Sequence, residues 1–333
     1  MRRACRWTAW GMAGEVDGSG AIALGMGRIL DDARALATHW RPLVGEWLGV
    51  RRAPGPVRAP VGSLPDRDAW EAAGFGAFWF GQATTMFRMG GVTVLTDPHF
   101  GERSGVSVGG RGTGRVRSTA LPAGIADLPP VDVVLLSHAH MDHWEKASLE
   151  RLARRETVAV IPRRTRRLLP RGFGGVVEID WDQAREVEGL EILAVRPRHW
   201  GARYVWDIHR GYNAYVLREG SRRVVFAGDT AETDAFDWLG GDGVDVAAMG
   251  IGNYYRPWDR VHATPEQVAA MAARMGAQRL MPIHHSTFRD PSEHIDEPLE
   301  RLARVWDPSR IVCARVGESL LESVEWVPAT ARD

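Results

Sequence analysis

Within six residues the chain places three imidazoles and a carboxylate, His138-Ala139-His140-Met141-Asp142-His143, directly after the apolar run Val131–Leu136. Such a run, bounded by polar residues, reads as a buried strand that delivers a polar cluster at its end. Strand residues two apart point to the same side, so His138 and His140 are placed to converge on one metal ion. The chain then turns toward a helix, which sets Asp142 and His143 to face a second ion close by. Imidazole and carboxylate donors of this kind suit zinc, with manganese and iron as alternatives. A single strand-end histidine is more often structural. Four such groups in six positions are not explained that way.

One segment cannot close a two-metal site, so further donors must come from other strand ends. His199 follows Leu190–Pro197, Asp229 follows Val224–Ala227 inside Gly228-Asp229-Thr230, and His284 follows Arg279–Ile283. Each is ambiguous alone. Their recurrence where apolar runs stop makes a common cleft the better reading.

The rest of the pattern is that of sheets covered by helices. Phe78–Met89 reads as a strand, Gly90-Gly91 as a tight turn and Val92–Thr96 as its hairpin partner. Further strands are expected at Val158–Ile161, Glu191–Val195, Tyr212–Leu217, Val224–Ala227, Val244–Met249 and Arg279–Ile283. Helices are expected near Lys146–Arg154, Pro265–Met275 and Pro298–Val305, which makes the chain α/β. Arg103–Arg117 is glycine-rich and basic but matches no phosphate-cradling pattern, so it reads as a mobile surface loop near the site. The arginines between Arg163 and Arg171 read as a solvated face.

Ahead of this region, Ile22–Leu48 has helical apolar spacing and a mixed-charge polar face, read as a helix packed on the main domain or on a second subunit. Arg51–Pro65 is proline-rich and reads as an extended linker. The expected division is residues 1–66 as helix and linker and 67–333 as the main domain that carries the metal cluster. Forty-two basic and 42 acidic side chains cancel, which gives no field favouring nucleic acid. No stretch reaches the roughly 18 apolar residues of a membrane span, so stable membrane insertion is not expected. Two distant cysteines, Cys5 and Cys313, and a basic start that meets Glu15 and Asp17 early favour a cytoplasmic location. The expected partner is a small-molecule substrate, with a homo-oligomer left open.

The order His-x-His-x-Asp-His, His199, Gly-Asp-Thr and Ile283-His284 resembles the metallo-β-lactamase superfamily. Trp79-Phe80-Gly81-Gln82-Ala83-Thr84, Leu95-Thr96-Asp97-Pro98, Arg198-His199-Trp200, Phe226–Thr230 and Met281-Pro282-Ile283-His284 resemble one branch of it, the N-acyl-phosphatidylethanolamine phospholipases D and L-ascorbate-6-phosphate lactonases. The resemblance implies a four-layer αββα sandwich with two divalent ions in a cleft at one sheet edge. It assigns His138, His140 and His199 to one ion, Asp142, His143 and His284 to the other, and Asp229 to both. Asp97 becomes a residue that orients ligands, beside its plainer reading as a turn residue. Two departures stand out. The branch usually has histidine where this chain has Gln82, and often tryptophan where it has His285, an added imidazole able to compete as ligand or move protons.

Two adjacent cations lower the pKa of a bridging water and hold the hydroxide for attack. By resemblance, Asp142 orients that water or takes its proton, and His262 reads either as the acid that delivers a proton to the leaving group or as a helix-entry residue on the surface. Tyr254, Tyr255 and Arg256 read either as an anion clamp or as exposed loop residues. The expected activity is phosphodiester hydrolysis, for which the resemblance implies a lipid-like substrate, with a lactonase or carboxylic ester hydrolase as the alternative and a di-iron oxidoreductase as a remote one. That last group typically carries glutamate where this chain has His140.

Overall fold

The structure, a computed structural model, describes residues 56–105, 107–108, 111–204 and 206–323. The expected helix at Ile22–Leu48 lies outside these residues. Among the described residues, Arg58 and Val61 lie along the domain body, their amides donating to Ser118 O and Val316 O.

Helix α1 (Arg67–Ala72) leads into β1 (Phe75–Gly81), β2 (Thr84–Met89) and β3 (Val92–Thr96). Two short ribbons follow, β4 (Arg103–Ser104) with β7 (Arg115–Val116) and β5 (Ser107–Val108) with β6 (Arg111–Gly112). Next come β8 (Val133–Leu135), α2 (Lys146–Leu152), β9 (Val158–Pro162) and β10 (Gly175–Ile179). The second half contains β11 (Ala184–Val187), β12 (Leu190–Val195), β13 (Ala214–Glu219), β14 (Arg222–Phe226) and β15 (Val244–Gly250). It ends with α3 (Pro265–Arg274), β16 (Ala277–Ile283), α4 (Glu297–Val305) and β17 (Ser319–Glu322). One sheet has the order β10-β9-β8-β3-β2-β1-β17 and the other β11-β12-β13-β14-β15-β16.

Strand periodicity makes the layers. On β1, Phe75, Ala77 and Trp79 point between the sheets, where they meet Leu217, Phe226 and Ile283 of the second sheet. Phe78 and Phe80 point the other way, onto Trp70 of α1 and Leu149 and Leu152 of α2. On β15, Val246 and Ala248 face inward while Ala247 and Met249 face Val268 and Met271 of α3 and Leu302 of α4. Each sheet is therefore buried on both faces, which explains apolar runs without clean alternation. The result is the αββα sandwich.

One element differs from expectation. Phe78–Met89 is not a single strand, because the chain folds back at Gln82-Ala83 and pairs β1 with β2 antiparallel. Gln82 takes φ 52° there, a conformation rare outside glycine. The turn is invisible to hydropathy because both arms are buried on both faces.

Among the described residues, the two ends of the glycine-rich segment, Arg103–Ser104 and Arg115–Val116, pair with one another. Gly114 has φ 86°, and a Cβ on it would stand 1.8 Å from Ser104 O, so only glycine lets the ribbon close. Beyond it, Arg115 and Arg117 are buried, their guanidinium groups donating to Asn253 Oδ1 and to His99 O, each at 2.6 Å. Paired arginine donors tie this arm to the body.

Candidate metal centre

Strands β3, β8 and β9 run parallel, as do β14, β15 and β16, and β12 shares the direction of β14 across two antiparallel pairings. Their carboxyl ends thus open along one edge of the sandwich, where ligands of such sheets gather. Asp97 follows β3, His138–His143 follow β8, His199 follows β12, Asp229 follows β14 and His284 follows β16. His262 precedes α3, whose start is fixed by a capping box between Thr264 and Gln267 with Pro265 in the first turn. Ahead of Asp229, Gly228 has φ 55°, and a Cβ there would meet Ser137 Cβ at 2.8 Å.

All seven sequence-predicted donors come together. One group comprises His138, His140, His199 and Asp229, the other Asp142, His143, Asp229 and His284, each with its donor atoms within 4.8 Å of one another. In the first, His140 Nδ1 lies 2.8 Å from His138 Nε2 and 3.2 Å from His199 Nε2, and Asp229 Oδ2 lies 3.8 Å from both of those Nε2 atoms. In the second, His143 Nε2 lies 3.1 Å from Asp229 Oδ2, and His284 Nε2 lies 3.1 Å from Asp142 Oδ2 and 3.3 Å from Asp229 Oδ1. Asp229 is common to both groups.

Hydrogen bonds behind the rings set their tautomers. His199 Nδ1 faces Val261 O at 3.1 Å, and a carbonyl only accepts, so Nδ1 carries the hydrogen and Nε2 is bare. His143 Nδ1 likewise gives its hydrogen to Asp97 Oδ2 at 2.6 Å, which turns Nε2 toward Asp229. Ser137 Oγ donates to Asp97 Oδ2, so its oxygen accepts from His138 Nδ1 at 2.9 Å and leaves that Nε2 bare as well. Asp97 also accepts from Ser137 N at 2.7 Å. It is at once the turn residue after β3 and the group that aims two imidazoles. Bare nitrogen lone pairs converging beside a buried carboxylate fit a cation, and the nitrogen and oxygen donor set fits zinc. Asp229 Oδ1 is buried and faces the His284 Nε2 edge at 3.3 Å, a donor set that suits a cation.

Electrostatics divide the two groups. Burial, reinforced by neighbouring imidazoles, holds His138 and His140 well below the ordinary histidine value, and burial brings His199 down to about 4. These rings are neutral, as ligands must be. Burial opposes charge on His143 and His284 too, yet Asp229 and Asp142 outweigh it, raising His143 well above its usual value and His284 to about 9. Burial likewise works against the carboxylates of Asp142 and Asp229, but His143 and His284 hold both well below the usual range. The first group thus offers neutral rings, and the second pairs two carboxylates with the imidazoles of His143 and His284.

Other predicted residues divide. His262 is at the centre: its Nε2 is 4.0 Å from Asp229 Oδ2, and its ring lies 5.1 Å from that of His284 and 5.4 Å from that of His199. His285 turns away, its ring 4.6 Å from that of Trp79 and its Nδ1 2.8 Å from Ser286 Oγ. His284 stands just past β16 with φ 60°, and the bend there sends His284 to the cluster and His285 to the core. The anion clamp expected of Tyr254, Tyr255 and Arg256 is not formed: none of them lines the cleft. Tyr254 is buried beneath Arg301, Tyr255 donates to Glu297, and Arg256 is exposed beside Asp259. The guanidinium on the cleft wall is that of Arg115, held by Asn253, Phe288 O and Asp290, with Trp200, Trp258 and Phe288 as apolar walls. Sequence reasoning missed Arg115 because its only signal was a basic glycine-rich stretch.

The sequence profile of the beta-lactamase superfamily domain matches residues 92–285. An uncharacterized protein of Mycobacterium tuberculosis is 29% identical over 292 residues, covering 82% of this chain and 75% of its own length. An N-acyl-phosphatidylethanolamine-hydrolyzing phospholipase D of Caenorhabditis elegans is 26% identical over 267 residues, covering 74% of each. Among solved structures, an isothiocyanate hydrolase from Delia radicum gut bacteria superposes with a TM-score of 0.61 at 19% identity, covering 75% of this chain and 100% of that one. At that identity the likeness speaks for the fold.

Proposed function

This chain belongs to the beta-lactamase superfamily as a metal-dependent hydrolase, and from that premise we propose that it hydrolyses phosphodiesters, with phospholipid-like compounds as the substrate class. The observation that carries this reading is the meeting of two donor groups at Asp229 in a cleft whose wall holds the Arg115 guanidinium. The likeness to a phospholipase D supports the lipid-like substrate.

His138, His140, His199 and Asp229 would hold one divalent cation and Asp142, His143, Asp229 and His284 the other, zinc being the first candidate; when bound, the pair supplies Lewis acidity and a hydroxide at neutral pH. Asp142 orients the attacking water and takes its proton. His262, half-buried beside Asp229 and His284, carries a proton to the departing oxygen. Arg115 faces the anionic phosphoryl oxygens. Trp200, Trp258 and Phe288 exclude water and give an acyl or other apolar portion a surface to lie against.

The test is a comparison of kcat/KM on bis(p-nitrophenyl) phosphate with kcat/KM on simple lactones and p-nitrophenyl esters. Higher values on the phosphodiester are expected. Preference for lactones or esters would replace this substrate class with the alternative while leaving the centre intact.

A further inference from the structure

We propose that Gln82, where the resembled branch usually has histidine, is the positioning residue of the second cation position, which it sets by fixing Asp142 and His284 together. The inference rests on the metal-centre reading above and assigns a residue that reading leaves without a task.

Gln82 is completely buried at the turn between β1 and β2. Its side-chain Nε2 donates to Asp142 Oδ2 at 2.6 Å, and its Oε1 accepts from Phe288 N at 3.3 Å. The amide has one orientation only: a backbone N–H must meet the oxygen, and a carboxylate must meet the NH2. Its main chain works on the other partner. Gln82 O accepts from His284 N at 2.8 Å, while Gln82 N donates to Thr287 Oγ1 at 2.8 Å. Trp79 Nε1 donates to the same Gln82 oxygen at 3.0 Å and fixes the turn from the core side.

One residue therefore grips both Asp142, reached from β8, and His284, reached from β16. These two belong to the second group and not to the first. Among the described residues Gln82 makes no hydrogen bond to His138, His140 or His199. The chemistry of the donor also fits. A neutral amide aims a carboxylate without discharging it, whereas a guanidinium or ammonium at that distance would compete with a cation for the same oxygen. Losing the donor frees Asp142 to rotate, and groups behind a ligand are commonly worth 10–100-fold in metal affinity.

The experiment is calorimetric titration of zinc into chelator-stripped full-length protein, comparing wild type with Gln82→Met and Gln82→His. Methionine keeps the length and the main-chain bonds but removes the donor, while histidine restores an N–H. The expected result is an unchanged first binding event in every protein, with the second event weakened about 10-fold or more in Gln82→Met and recovered in Gln82→His. A merely structural role would lower the melting temperature of the metal-free variant and weaken both events alike, and that result overturns the proposal. A second event of wild-type strength in Gln82→Met overturns it too, leaving the two-cation reading in place. Uptake of only one zinc by the wild type overturns both together.

Discussion

Asp97 Oδ2 lies 2.6 Å from His143 Nδ1, and both side chains are fully buried. The carboxylate fixes the hydrogen on Nδ1 and turns Nε2 toward Asp229 and Asp142. Burial pushes the Asp97 carboxyl up, and His143 and Ser137 pull it back by donating to it. Asp97→Ala removes the acceptor for two imidazole-aiming contacts at once. The expected outcome is a loss of zinc affinity or turnover of roughly 10–100-fold, read by metal titration and initial rates. Wild-type values for both would show that His143 needs no such partner.

His262 has a different expected signature. It stands beside Asp229 and His284 but outside both donor groups. His262→Ala should lower kcat by about 10²-fold or more, the usual scale of positioned proton transfer, with zinc content unchanged. Metal analysis and steady-state kinetics on one preparation decide this. Full activity would remove His262 from the proton path, and lost metal would make it a ligand.

Glu293 gives a prediction about stability. It is buried, its Oε2 accepts from Asn253 N at 2.6 Å and its Oε1 has no hydrogen-bond partner. Burial raises its carboxyl from 4.5 to about 7, against the pull of the Asn253 amide. The folded chain then keeps this proton up to about pH 7, whereas the unfolded chain releases it near 4.5. Stability from this group is full below the lower value and is lost as pH rises through the upper one. Glu293→Gln, a permanently neutral isostere, should melt several degrees above wild type at pH 8.5, since one pKa unit is about 1.4 kcal/mol and ~1 kcal/mol moves Tm by a few degrees. The gap should shrink toward pH 5. A gap independent of pH would contradict the assignment.

How much of this was legible in the sequence follows from what each signal depends on. The six-residue cluster after β8 and the polar residues ending β12, β14 and β16 were visible because strand ends follow from hydropathy, and chain order alone suggested a common edge. The β1–β2 turn was not visible, since Phe75–Gly81 and Thr84–Met89 are both buried on both faces and Gln82 is not a typical turn residue. The cleft walls were equally hidden. Arg115 reaches Asn253 across 138 positions of sequence, and no local pattern records a contact of that range. His284 and His285 look alike in sequence, and only the side each takes separates a candidate ligand from a ring packed on Trp79.

The central claim, that Asp229 joins two cation positions, is tested most directly by metal analysis of zinc-loaded, gel-filtered protein with and without Asp229→Ala. Two zinc ions per wild-type chain and fewer than one in the variant, with hydrolysis lost, is the expected result. A wild-type chain that holds no zinc, or a variant that keeps two ions and its activity, would contradict it.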